Sequence, residues 1–311
     1  MNQETNFISA VVYVHNAGNR VAEFLRVILH TLESNFAHSE IICVNDASED
    51  DSLQRIRTVS AEAKTASVSV INMSYFHGLE MAMNAGVDLA IGDFVFEFDH
   101  PWLDFDEREI MKVYRRSLAG CDIVSASPER KEKLSSRVFY RIFDRFSHLK
   151  YQMSTESFRI LSRRVLNRIE SENQAVLYRK AVYASSGLKT DQIKYIPKSA
   201  DLPAGDRRER SYRAGLAADS LILFTELGYR FSMIMTGIML LIALLILVYT
   251  VVAYFTLHPV EGWTTTILFL AVCFIGLFGI QTIIIKYLQL IVDMVYKRKH
   301  YSFESIEKLT K

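Results

Sequence analysis

Two uninterrupted charge-free apolar runs, Phe231 to Leu257 and Gly262 to Ile285, constrain this chain more than any other feature. Each exceeds the roughly 20 residues that cross a hydrocarbon core about 30 Å thick at 1.5 Å rise per residue. Buried core helices are rarely charge-free beyond about 14 residues, so both runs are expected to span a bilayer. Only His258, Pro259, Val260 and Glu261 separate them, which makes an antiparallel hairpin that returns the chain to its starting side. The basic flanks Arg230, Lys286, Lys297, Arg298 and Lys299 lie outside the hairpin, whereas its loop holds a Glu and a His. The positive-inside rule then places both termini in the cytoplasm. Met1 to Asn6 is polar and Phe7 to Val14 is too short for an h-region with a cleavage site, so no signal peptide is read there.

The segment before the hairpin, about 230 residues, is ample for one hydrophobic core. With 36 basic and 35 acidic residues the chain lacks the basic excess of a general nucleic-acid binder. Cys43, Cys121 and Cys273 are far apart in apolar surroundings and show no CxxC spacing, so they read as buried small hydrophobes.

Short apolar runs alternate with amphipathic stretches along the first hundred residues. Ile8 to Val14, Glu40 to Val44, Val68 to Asn72 and Phe94 to Phe98 read as strands; Val21 to Leu32, Leu53 to Ala63 and Leu79 to Ala90 read as helices. That is a βαβαβαβ order and therefore a mostly parallel sheet with flanking helices. Ligands of such sheets bind beyond the carboxyl ends of the strands. Three polar clusters stand at those ends: His15-Asn16-Ala17-Gly18, Asn45-Asp46-Ala47-Ser48-Glu49-Asp50 and Glu97-Phe98-Asp99-His100. Two carboxylates one residue apart can hold a divalent cation beside a diphosphate. Taken singly, the second cluster also suits a helix N-cap and the third the polar face of a strand; their recurrence at one sheet edge points to a site.

These residues resemble the family-two glycosyltransferases of GT-A fold. The likeness is carried by Val11 to Asn16, Glu40 to Asp50, Gly78-Leu79-Glu80-Met81-Ala82 with Asn84-Ala85-Gly86, and Ala90 to Asp93 ahead of Glu97-Phe98-Asp99. More narrowly the chain is similar to the polyprenyl-phosphate glycosyltransferases, dolichyl-phosphate mannose synthases and bactoprenyl glucosyltransferases among them. Phe139-Tyr140, Ser157 to Leu161, Arg163-Arg164-Val165, Arg208 to Arg213 ahead of Asp219, and a basic tyrosine-containing tail from Tyr296 to Tyr301 extend the likeness over nearly the whole chain.

The resemblance implies a division into a GT-A domain (1–210), a juxtamembrane interfacial helix (211–230), two transmembrane helices (231–287) and a cytoplasmic basic tail (288–311). It implies that Asp46 contacts the donor nucleotide, with Asn16, Ser48 and Asp50 around it. Asp99, Glu97 and Arg159 are the implied catalytic residues, with Glu97 and Asp99 at the metal-binding DxD position for Mg²⁺ or Mn²⁺. Arg159 lines the acceptor side, and Arg208, Arg210 and Arg213 meet donor or acceptor phosphates. As a bare reading of residues, those arginines are also a polybasic anchor for anionic lipid. The implied partners are a nucleotide sugar, a polyprenyl phosphate and membrane lipid, with no nucleic acid. A homotetramer is compatible, since Gly237, Gly276 and Gly279 offer packing surface on the hairpin. The implied location is a bacterial inner membrane, in cell-envelope glycan synthesis.

The chain departs from the family pattern in several places. Glu97 stands where Asp is usual, His100-Pro101-Trp102-Leu103-Asp104 replaces an acidic and proline continuation, Ser157 replaces an Asp before Phe158, and Ala17-Gly18 replaces an acidic pair. The expected chemistry nonetheless needs no side-chain base, because a phosphate monoester with second pKa about 6 is already largely dianionic at neutral pH. The departures also admit a different class of function, a catalytically degenerate subunit that recruits a partner. A transferase acting on a polysaccharide or protein acceptor is a third reading, disfavoured by the small hairpin and the lack of an acceptor domain.

Overall fold

The structure, a computed structural model, describes residues 3–130, 155–171, 178–198, 207–224 and 303–308, with separate positions at 137, 141 and between 234 and 291. The chain divides into two compact units. The first comprises Met1–Asp144, Leu149–Ala217 and Arg298–Lys311, the second Arg145–His148 and Ala218–Lys297.

The first unit alternates strand and helix as its hydrophobic runs predict. β1 (Ile8–Val14), α1 (Asn19–Asn35), β2 (Ser39–Asn45), α2 (Ser52–Ser60), β3 (Ser67–Met73), α3 (Leu79–Leu89) and β4 (Phe94–Phe98) follow in order. Then come α4 (Arg108–Leu118), β5 (Ile123–Pro128), β6 (Phe158–Ser162), α5 (Arg163–Ser171), α6 (Arg179–Ser185), β7 (Thr190–Tyr195), α7 (Arg207–Phe224) and β8 (Phe303–Lys308). The eight strands form one sheet in the order β7-β5-β6-β4-β1-β2-β3-β8.

Every residue of β1 is buried, as expected of a strand covered on both faces. Its side chains alternate between two cores. Ile8, Ala10, Val12 and Val14 pack with Phe24, Leu25 and Ile28 of α1, while Val11 and Tyr13 pack with Ala82 and Met83 of α3. Gly86 lets α3 settle on the sheet, since a Cβ there would meet Val11 Cγ1 at 2.4 Å. Cys43 and Cys121 are buried free thiols, and burial pushes the Cys43 thiol up to about 12.

The parallel expectation holds for β3-β2-β1-β4 and for β5 with β7. The sheet as a whole is mixed, because β6 runs back between β4 and β5 and is antiparallel to both. That reversal sets Arg159 directly across from Glu97. The tail also differs from a plain basic extension: β8 adds antiparallel to β3 and closes that edge of the sheet.

α7 is one helix that begins four residues ahead of the expected juxtamembrane boundary. Its polar residues fill the first turns and its apolar residues the last, so the two kinds separate along the axis rather than onto opposite faces. The two apolar runs lie mostly outside the described residues. Among the described residues no helix is long and apolar enough to cross a membrane. The described positions of the second unit between 234 and 291 are helical. Ile234, Ile238, Leu241 and Leu245 recur there at helical spacing with their side chains exposed.

Candidate active site

Parallel strands share a direction, so the carboxyl ends of β1, β2, β3 and β4 open on one edge of the sheet. Side-chain-to-backbone bonds stitch the loops there together. Asn16 N donates to Ser48 Oγ at 3.1 Å, Ala17 N to Ser52 Oγ at 2.9 Å and Gly18 N to Asp50 Oδ2 at 2.8 Å. Glu49 N returns a bond to Asn16 Oδ1 at 2.8 Å. Asn16 and Ala47 hold left-handed backbone at φ 46° and 51°, a conformation that costs a non-glycine residue about 1–2 kcal/mol. Asn16, Ser48 and Asp50 are thus brought together, and Asp50 faces solvent.

Asp46 has a different surrounding. Its Oδ2 accepts the Tyr13 hydroxyl at 3.0 Å and Gly78 N at 2.8 Å, and its Oδ1 accepts His77 N at 2.8 Å. The residue has no exposed surface. In this arrangement Asp46 organises the β3–α3 loop and presents nothing to a nucleotide base. Burial and the Asp46 charge push the Tyr13 hydroxyl well above its ordinary value, so it remains a neutral donor.

The same loop receives α7. Gly78, at φ +83°, lies under the Tyr212 ring, which edges onto Phe76 at 6.1 Å. The Arg208 guanidinium sits 5.7 Å from the Phe76 ring centroid. Arg213 bonds Glu209 one turn back at 2.6 Å. Burial, opposed by Asp104 and Asp99 and aided by Arg213, lowers the pKa of the His100 imidazole. Arg210 lies on α7, with its side chain outside the described residues.

At the carboxyl end of β4 Glu97 and Asp99 meet two buried arginines. Arg159 Nη1 donates to Glu97 Oε2 at 2.9 Å, Nη2 to Asp99 Oδ2 at 2.8 Å and Nε to Glu156 Oε2 at 3.1 Å. Arg179, from the start of α6, gives Nη2 to Asp99 Oδ1 at 2.8 Å, while Nε and its backbone N both reach Glu80 Oε2 at 2.9 Å. Its Nη1 forms an ion pair with Glu97 Oε2 at 3.0 Å without hydrogen-bond alignment. The Tyr183 hydroxyl donates to Glu97 Oε1 at 2.7 Å. Burial alone would raise the Asp99 pKa, but the charges of Arg159 and Arg179 override it and hold the carboxyl well below the usual range. Burial works likewise against both guanidiniums, and the surrounding carboxylates keep them charged.

The cluster brings together Glu97, Asp99 and Arg159, the three residues the resemblance implies are catalytic. Arg159, expected to be catalytic and to line the acceptor side, pairs with both members of the acidic pair. Arg179, Glu156 and Tyr183 carry no expectation from the sequence, and Glu80 enters there only as part of the family likeness. Their signal was faint, since Glu80 looks like an ordinary first-turn helix acid and Arg179 like one cation of an amphipathic helix. The antiparallel placement of β6 is what makes Arg159 a partner of β4.

A divalent ion fits this cluster at one carboxylate. Among the described residues no group of three or more His, Cys, Asp or Glu side chains is arranged to hold a metal. Asp99 takes one N–H on each oxygen, which leaves acceptor capacity on both, since a carboxylate has about four lone-pair sites. It would serve an ion whose remaining ligands come from a donor diphosphate.

A mixed sheet of this topology, with carboxylates gathered where its parallel strands end, fits the GT-A fold. The chain belongs to glycosyl transferase family 2, whose family model matches residues 9–170, more than half of its length, and it is a glycosyltransferase enzyme. It is 26% identical to an uncharacterized glycosyltransferase of Synechocystis, over 58% of this chain and 58% of that protein. It is 27% identical to the prophage bactoprenol glucosyl transferase homolog of Escherichia coli, over 97% of this chain and 99% of that one. Among solved structures, a mannosyltransferase of Pyrobaculum calidifontis in complex with GDP-Man and Mn²⁺ aligns with a TM-score of 0.48 at 14% identity, covering 70% of this chain and 63% of that one.

Proposed function

We propose that this glycosyltransferase moves a sugar from a nucleotide diphosphate sugar to a polyprenyl phosphate at the cytoplasmic face of a membrane. The observation that carries this reading is the end-to-end alignment with the Escherichia coli protein named for bactoprenol, which extends past the family domain through both apolar runs to the tail. The exposed Ile234, Ile238, Leu241 and Leu245 support the membrane part, because a stripe of this kind is not left to water in a stable soluble protein.

In this reading the donor nucleoside lies along the rim built by Asn16, Ser48 and Asp50, which Asp46 holds in shape from beneath. The diphosphate approaches Asp99. A divalent ion bound there would neutralise the departing nucleoside diphosphate. The acceptor phosphate, largely dianionic at neutral pH, is its own nucleophile, so the chain's task is to place it in line with the anomeric carbon. Arg208 and Arg213, with Arg210, supply positive charge from α7 for that phosphate. Arg159 and Arg179 keep Asp99 ionised and fixed in direction.

The test is to incubate membranes containing the protein with labelled nucleotide sugars, polyprenyl phosphate and Mg²⁺ or Mn²⁺. A mild-acid-labile glycolipid is expected with at least one donor. Nucleotide binding with no product from a full donor panel would instead support a partner-recruiting subunit.

A further inference from the structure

Glu97 and Asp99 alternate along β4 and project from the same face of the sheet, yet their surroundings differ. Glu97 stands directly across the β4–β6 ladder from Arg159, and Asp99 lies one pleat further on, so a single guanidinium reaches both carboxylates. Glu97 is enclosed by Arg159 at 2.9 Å, Arg179 at 3.0 Å and the Tyr183 hydroxyl at 2.7 Å, and 0% of its side chain is exposed. Asp99 meets the same two arginines at 2.8 Å, but at the strand end, with 9% of its side chain exposed and an acceptor site left on each oxygen. Both guanidiniums are 1% exposed.

We propose that the alternating pair is split by function: Glu97 is the internal counter-ion that seats Arg159 and Arg179, and Asp99 alone meets the donor's diphosphate and its cation. The inference rests on the donor reading above. It accounts for the glutamate at 97. The additional methylene carries the carboxylate off the strand and between two guanidiniums and a phenol, a place a metal ligand at that position would have no reason to fill. It also explains why Arg179 is drawn in from α6. Without a second cation, Glu97, Asp99 and Glu156 would crowd three carboxylates around Arg159, and Glu80 would lose its own partner.

The experiment uses the full chain in detergent, with E97Q, E97D, D99N, R179Q and the double variant E97Q/R179Q, and has two readouts. The first is the melting temperature without nucleotide. If Glu97 is a counter-ion, E97Q and R179Q each lower it, and the double variant loses clearly less than their sum, because each single change strands the other's charge. Additive losses would overturn the proposal. The second is the affinity for UDP, GDP or CDP with and without Mn²⁺. The gain in affinity from Mn²⁺ is expected to survive in E97Q and E97D and to fall at least about tenfold in D99N, as loss of a direct ligand requires. E97Q abolishing that gain while melting normally, or E97D strengthening it without loss of stability, would show Glu97 to be a ligand and sink the idea. If the parent protein binds none of the nucleotides, the donor reading fails, and the melting-temperature cycle still decides what Glu97 does.

Discussion

Alanine at Gly78 would put a methyl group 2.4 Å from the Tyr212 ring, on backbone at φ +83° that side chains rarely adopt. The loop must shift away from both α7 and Asp46, so G78A is expected to destabilise by about 1–3 kcal/mol and to weaken donor binding, read by thermal melting and nucleotide titration. Asp46 is a related case. An asparagine has one carbonyl oxygen where Asp46 offers two to His77 N, Gly78 N and the Tyr13 hydroxyl. D46N therefore leaves a buried donor unsatisfied, and a loss of about 1–3 kcal/mol in chemical denaturation is expected. Such residues are legible in the sequence as a polar cluster at a strand end, but their orientation is not. Asn-Asp-Ala-Ser-Glu-Asp reads equally well as a contact set or as loop scaffolding, and the loop geometry alone assigns Asp46 to the scaffolding and Asp50 to the surface.

Among the elements, the first seven are written plainly in the chain, because strands buried on both faces need unbroken apolar runs and helices packed on them need a 3.6-residue period. The later ones are not. β7, Thr-Asp-Gln-Ile-Lys-Tyr, and β8, Phe-Glu-Ser-Ile-Glu-Lys, carry charges as edge strands do, and pairing rather than composition makes them strands. Deleting 303–308 should bare the β3 edge, lower the melting temperature by several degrees and promote self-association, which light scattering would detect. β6 is short and could have run either way; its reversal is fixed only by tertiary packing. R159M, which leaves Glu97, Asp99 and Glu156 without that partner, is expected to cost about 3–5 kcal/mol by chemical denaturation.

For the molecule as a whole, the depressed Asp99 carboxyl links stability to acidity. Its folded-state pKa lies below the unfolded value of about 3.9, so its contribution is complete above that value and is lost as the pH falls through the folded one. Melting curves collected from about pH 6 down to pH 3 should show stability dropping in the lower part of that range, with a shallower fall in D99N. One feature of the tail bears on a still larger scale. β8 lies against β3, inside the unit that also holds every residue from Met1 to Asp144. A polypeptide that departs after Ala217 and is back at that edge by Phe303 can traverse a barrier only an even number of times. Protease added to one side of sealed vesicles should accordingly reach α1 and the 303–308 strand together or reach neither.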